Sequence, residues 1–146
     1  MHYLPLFQDS FVAILRGGHP CLVPTGTLTI AAYLEQSHAV VSLRDPGVSP
    51  VDTALSRLGH ARRVALSSYS FAGNLAAVAA TDLIATLPSR MAASLPQGLV
   101  TRPLPFAISP FTYGLIWPPR TDAAPAQRWL RARIAEVAAL PVPAAP

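Results

Sequence analysis

Short apolar blocks alternate with amphipathic stretches over the first two thirds of the chain, and each block stops at a turn former. Residues 11–16 (Phe-Val-Ala-Ile-Leu-Arg) run into Gly17-Gly18-His19-Pro20 and read as a buried strand. Residues 27–36 place Leu28, Ala31, Ala32 and Leu34 at helical spacing, with Thr27 or Thr29 near the cap. Residues 38–42 (His-Ala-Val-Val-Ser) form the next strand, closed by an Asp45-Pro46-Gly47 turn. Ser49-Pro50-Val51-Asp52 then opens a helix: Ser49 caps, Pro50 suits the first position, and Asp52 puts negative charge in the first turn. Its stripe is Val51, Ala54, Leu55 and Leu58, and Gly59 closes it. Residues 63–66 are a third strand, 71–80 a third helix with Ser70 as N-cap, 83–87 a fourth strand, and 88–94 a short helix opened by its proline. Alternating strands and helices predict an α/β fold with a parallel or mixed sheet and right-handed crossovers.

Beyond Gly98 the pattern changes. Residues 100–106 and 112–117 are extended and separated by Ser109-Pro110. A last helix follows, capped by Asp122 or Ala124, with Pro125 in its first turn and a stripe of Ala126, Leu130, Ile134 and Val137 beside Trp129. Residues 141–146, rich in proline, are expected to be a disordered tail.

Composition adds exclusions. A chain of 146 residues, 51% apolar and 12% charged, is one folded domain by size and not disordered. Mean hydropathy is +0.38, yet the longest uncharged run of interest, 64–81, holds Ser67, Ser68, Ser70, Gly73 and Asn74. It reads as a helix between buried parallel strands rather than a membrane span. The net charge is +4, and all basic residues are Arg, scattered except for Arg128, Arg131 and Arg133. A solvated helix face explains that group better than a phosphate patch. The lone Cys21 excludes an internal disulfide and a cysteine metal site. No basic segment followed by an apolar run opens the chain, so a cytoplasmic location is the default. No Gly-x-Ser-x-Gly elbow, Gly-rich phosphate loop, paired histidines or matched carboxylates appear, so neither catalysis nor a cofactor is expected.

The candidate chemistry lies in Ser67-Ser68-Tyr69-Ser70-Phe71, a polar turn between a strand's carboxyl end and a helix N-terminus. α/β proteins hold small ligands there, and unpaired helical N–H groups favour an anion. Ser70 can face a carboxylate, or simply cap the helix for about 1 kcal/mol. Phe71 can stack on an aromatic ligand or fill the core. His38 on an apolar strand reads more readily as a hydrogen-bonded core residue. Asp82 is expected to hold a turn or an Arg.

The ordered series of motifs resembles the C-terminal half of LysR-type transcriptional regulators. It comprises Leu6-Phe7-Gln8-Asp9-Ser10-Phe11-Val12 with Arg16 and His19-Pro20; His38 to Ser42; Val51-Asp52-Thr53-Ala54-Leu55 with Gly59; Arg62 to Leu66; Ser70-Phe71; Thr81-Asp82-Leu83-Ile84-Ala85-Thr86-Leu87-Pro88; Leu104-Pro105-Phe106; Trp117; and Arg128-Trp129-Leu130-Arg131. The Thr81–Pro88 and Arg128–Arg131 segments are similar to the branch containing regulators of nodulation and aromatic catabolism. The chain departs from that branch at Tyr69 and Pro118, both at or near the expected cleft.

The resemblance implies a type 2 periplasmic-binding-protein-like fold, with a complete second lobe and the C-terminal part of the first. Residues 1–10 would be a crossover from the absent half of the first lobe, 11–88 the second lobe, and 89–140 the returning part of the first lobe. It implies a small, anionic or aromatic effector held by Ser68, Ser70 and Phe71, with His38 and Ser42 as weaker candidates. It also implies a homodimer or homo-oligomer, no membrane, and DNA contact only through a helix-turn-helix absent from this sequence. Such a chain would be a fragment. The alternatives are a dimerisation or interaction module without ligand, and a solute-binding protein. Without the first lobe's leading strands, 100–106 and 112–117 would have unpaired edges, predicting poor solubility.

Overall fold

The structure, a computed structural model, describes residues 1–22, 25–42 and 49–141. The expected Asp45-Pro46-Gly47 turn and the tail from Val142 lie outside them. Seven strands and four α-helices are described: β1 (His2–Asp9), β2 (Phe11–Arg16), α1 (Ile30–Glu35), β3 (Ser37–Val41), α2 (Pro50–Arg57), β4 (Arg63–Ser68), α3 (Phe71–Ala80), β5 (Ile84–Pro88), β6 (Leu99–Pro103), β7 (Phe111–Trp117) and α4 (Pro125–Ala138).

Five strands form one mixed sheet in the order β4-β3-β5-β2-β6. β3 runs parallel to β4 and β5, whereas β2 is antiparallel to β5 and β6. Helices cover both faces, which explains why β2 reads as a nearly continuous apolar run. Ala13 and Leu15 of β2 and Ile84 of β5 pack with Tyr33 of α1 and Val51 and Leu55 of α2. Ile14, Ala39, Ala85 and Leu87 face the other way, onto Leu75 and Val78 of α3.

The caps follow the local chemistry. Ser49 Oγ accepts from Asp52 N–H at 3.1 Å, and Ser70 Oγ from Gly73 N–H at 3.1 Å. For α1 the cap is Thr29, accepting from Ala32 N–H at 3.1 Å, and the helix is shorter than the 27–36 stretch. Gly59 follows the last turn of α2 at φ +75°, where a side chain would be strained. Pro88 ends β5 instead of opening a helix, and Ser89–Ser94 form a 3-10 helix. α4 begins after Ala124, which makes no side-chain cap bond. Asp122 instead accepts from the Trp117 indole N–H at 2.7 Å.

Two pairings depart from expectation. β6 joins β2 in the five-stranded sheet, so the sheet takes in part of the region expected to return to the first lobe. β1 was not expected as a strand; it pairs antiparallel with β7 from His2↔Trp117 to Asp9↔Phe111, with an irregularity between Pro5 and Phe7. Pro5 blurs the strand signal and is tolerated at that irregularity. Tyr3 crosses Gly114 so closely that a Cβ there would lie 2.3 Å from Tyr3 Cε2 and 2.9 Å from the Leu4 carbonyl oxygen.

α4 lies on the Trp117 face of this ribbon. The Arg131 guanidinium sits 4.5 Å from the Trp117 ring centroid and donates to the Asp122 carbonyl at 2.7 Å. None of α4 is fully buried, and Tyr3, Ile116, Trp129, Val137 and Leu140 are exposed. The predicted stripe of α4 is therefore poorly covered.

Candidate functional site

A cleft of about 180 Å³ opens outside the carboxyl ends of β3 and β5. Val40, Val41 and Ser42 enter from the end of β3, and Thr86, Leu87 and Pro88 from the end of β5. Phe11 at the start of β2, Phe71 at the start of α3, and Ser49 to Asp52 at the start of α2 complete most of the wall. Parallel strands followed by helices place such a crevice there, with two helix N-termini at its rim.

The polar part of the wall is an ion pair shielded from water. Arg62 Nε donates to Asp52 Oδ1 at 2.7 Å, and Nη2 to Asp52 Oδ2 at 3.1 Å and to Ser49 Oγ at 3.2 Å. The Arg62 side chain is 3% exposed and that of Asp52 15%. Burial alone would raise the Asp52 carboxyl; the hydrogen bonds from Arg62 and Ser49 and the Arg62 charge outweigh it and hold it below its ordinary value. Behind Thr86, the fully buried Tyr33 exchanges a hydrogen bond with Thr86 Oγ1 at 2.8 Å. Burial pushes the Tyr33 hydroxyl up, so it remains a neutral phenol. The site thus combines an apolar wall with a few fixed polar atoms, the usual make-up of a small-molecule site.

Of the residues singled out from the sequence, Ser42 and Phe71 line this cleft. Ser68 and Ser70 flank it in the turn before α3, where they bond to each other. Ser68 Oγ accepts from Ser70 N–H at 3.1 Å and donates to Asn74 Oδ1 at 2.8 Å. His38 is fully buried and outside the lining. Its Nε2 donates to the Tyr33 carbonyl at 2.8 Å, and its ring lies 4.4 Å from the Tyr33 ring. Burial drops its pKa to about 4, against the pull of that carbonyl, so it is neutral. Tyr69 and Pro118 are not among the lining residues. Asp82 pairs with Arg16 at 2.7 Å, as expected, and its carbonyl bonds to His19 Nε2 at 3.0 Å. Cys21 has its thiol pushed up by burial, consistent with an inert side chain. The Asp52–Arg62 pair, Thr86 and Phe11 line the cleft without being singled out by the sequence pattern. In the sequence Asp52 reads as a helix-start charge, and nothing in the spacing announces its partner. Among the described residues no helix is long and apolar enough to cross a membrane, and no His, Cys, Asp and Glu cluster could hold a metal ion.

A mixed sheet covered on both faces, with a cleft at its strand ends and a second sheet beside it, is a fold of periplasmic-binding-protein type. Residues 1–139 match the LysR substrate binding domain, and the chain belongs to that family. It is 32% identical over 135 residues to the HTH-type transcriptional regulator SyrM of Rhizobium meliloti (strain 1021), covering 91% of this chain and 41% of that protein. It is 35% identical over 143 residues to Nodulation protein D 3 of Rhizobium leguminosarum bv. phaseoli, covering 94% and 46%. The regulatory domain of MexT, a transcriptional activator in Pseudomonas aeruginosa, superposes with a TM-score of 0.76 at 30% identity, over 92% of this chain and 66% of that one. The chain therefore spans less than half the length of these curated relatives. The resemblance read from the motifs is borne out.

Proposed function

We propose that this chain is the effector-sensing part of a LysR-type transcriptional regulator, and that its cleft takes one wall's share of a small aromatic or anionic ligand. The observation that carries the reading is the position and lining of the cleft. It lies at the strand ends between two helix N-termini, with Phe71 and Phe11 on its apolar side and Ser42, Thr86, Ser49 and the Asp52–Arg62 ion pair as its polar groups. Its volume of about 180 Å³ is below the roughly 300–1,000 Å³ of complete sites for drug-sized ligands. A single-ring ligand fits it, and so does half of a site whose other wall belongs to a first lobe. Ser68 and Ser70 set the turn that presents Phe71 and the α3 N-terminus, while His38 supports β3 from the core.

Ligand binding acts by favouring one arrangement of the regulator over another. DNA contact falls to the part of the relatives that this chain does not match, and the working location is the cytoplasm, with the DNA. Exposed Ile116, Trp129 and Val137 favour a further role as an association surface, within the same protein or between copies.

Melting curves of this chain with a panel of single-ring aromatic acids and their neutral amides test the assignment. A ligand at ten times its Kd stabilises by about 1.4 kcal/mol. At least one compound is expected to raise the midpoint by a few degrees, and Phe71→Ala to abolish the shift. If no compound stabilises the chain, or Phe71→Ala leaves the shift intact, the cleft is not the site.

A further inference from the structure

The ribbon of β1 and β7 meets the five-stranded sheet where Asp9 passes through Ser10 into Phe11. Asp9 is 5% exposed, and the cleft makes no use of its carboxylate. One oxygen, Oδ1, accepts from Ser10 N–H at 2.8 Å and from the Ser89 hydroxyl at 2.5 Å; Oδ2 accepts from Arg90 N–H at 3.4 Å. Ser89 N–H in turn donates to the Ser10 carbonyl at 2.7 Å. Asp9 ends β1 and pairs with Phe111 of β7, whereas Ser89 and Arg90 follow directly on β5. The carboxylate of one unit thus grips the Ser89 hydroxyl and, more weakly, the Arg90 N–H where the chain leaves the other. Arg90 extends the grip: its guanidinium lies 3.8 Å from the Phe7 ring centroid and donates to the Ala138 carbonyl at 3.3 Å, at the end of α4.

No ion pair reaches Asp9 among the described residues. Burying an unpaired carboxylate is costly unless donors surround it, and here every donor comes from the junction. Phe11 and Pro88, which face each other in register and line the cleft, stand two residues after Asp9 and one before Ser89. We propose that Asp9 is a positioning residue, a clasp that fixes the angle between ribbon and sheet and, through Phe11 and Pro88, the width of the cleft. Any rotation of ribbon on sheet must stretch the bonds from Ser89 and Arg90, because donors and acceptor sit on opposite sides of the junction. The inference concerns the join and holds whatever the cleft binds.

Pulsed EPR distances test it. In a Cys21→Ser background, spin labels at Arg57→Cys on α2 and Arg128→Cys on α4 occupy two exposed positions, one on each unit. The parent should give one narrow distance. Asp9→Ala should broaden it or add a second distance, and Ser89→Ala should do the same to a smaller extent. Amide protection of Ile14 and Ala85, in the sheet core, should stay unchanged. A parent distribution that is already broad, or one left unaltered by both substitutions, would overturn the clasp. If Asp9→Ala does not fold, Ser89→Ala decides alone: broadening supports the clasp and an unchanged distance removes it.

Discussion

Replacing Arg62 by Met keeps most of the stem's bulk and removes three donors from the cleft wall, two to Asp52 and one to Ser49. Asp52 is left with Ser49 as its partner, in a site where its side chain is only 15% exposed. Breaking a fully buried pair from one side costs roughly 3–5 kcal/mol. Some water reaches Asp52, so a loss of about 2–3 kcal/mol is expected, and at this chain length that is on the order of 8 °C in the melting midpoint. In a double-mutant cycle, Asp52→Asn together with Arg62→Met should recover part of the loss, with a coupling energy of about 1.5–2 kcal/mol. The folded carboxyl titrates below its ordinary value, so the pair's contribution is fully present above about pH 4 and is lost as pH falls through that lowered value. The gap between wild type and Arg62→Met should narrow as pH falls, through His38, whose pKa burial and, to a lesser extent, the Arg62 charge lower, and then below about pH 4 through Asp52 itself. Circular-dichroism melts of the four proteins at pH 7 and pH 3 supply the data. A coupling energy under about 0.5 kcal/mol, or a gap that widens in acid, would show that Asp52 and Arg62 do not stabilise the fold as a pair.

His38, buried neutral with its pKa lowered from 6.5 to about 4, binds a proton less readily folded than unfolded. Stability should therefore be complete above pH 6.5 and decline by about 3 kcal/mol as pH falls to 4. His38→Gln should flatten that slope in urea titrations across the same range, and an undiminished slope would place the titration elsewhere. The apolar residues left open on the ribbon and α4, Ile116, Trp129 and Val137, are 65–67% exposed. Changing them to Thr, Gln and Lys should raise the soluble fraction several-fold while the melting midpoint barely moves, since exposed substitutions usually stay within about 0.5 kcal/mol. A wild-type chain that is already monodisperse, unchanged by the triple substitution, would contradict this.

Local chemistry was legible where a few neighbouring residues decide the outcome. Ser49-Pro50-Val51-Asp52 and Ser70-Phe71 opened helices as their side chains dictate, and the apolar runs of β2 and β5 became buried strands. Long-range pairing was not legible. β1 is not legible as a strand because Pro5 interrupts its pattern and its partner β7 lies far along the sequence. β6 was expected elsewhere because an isolated extended segment does not state which edge it joins. Within the candidate cleft, Phe71 is picked out by its place after a strand and turn, and Ser42 by the family resemblance. The Asp52–Arg62 pair could not, because a helix start and a strand approach carry no mutual spacing rule; folding alone brings them within 2.7 Å. Ser68, Ser70 and His38 illustrate a related limit: polar type and position pick out residues near a cleft but do not distinguish a wall from its support.

Amide chemical-shift mapping with the best stabilising ring compound reads out whether the strand-end cleft receives the effector. The shifted amides are expected to cluster at Val41, Ser42, Val51, Phe71 and Thr86. Shifts gathered instead along the groove between β1 and α4, at Leu6, Phe7, Ile134 and Val137, or no saturable shifts at all, would contradict it.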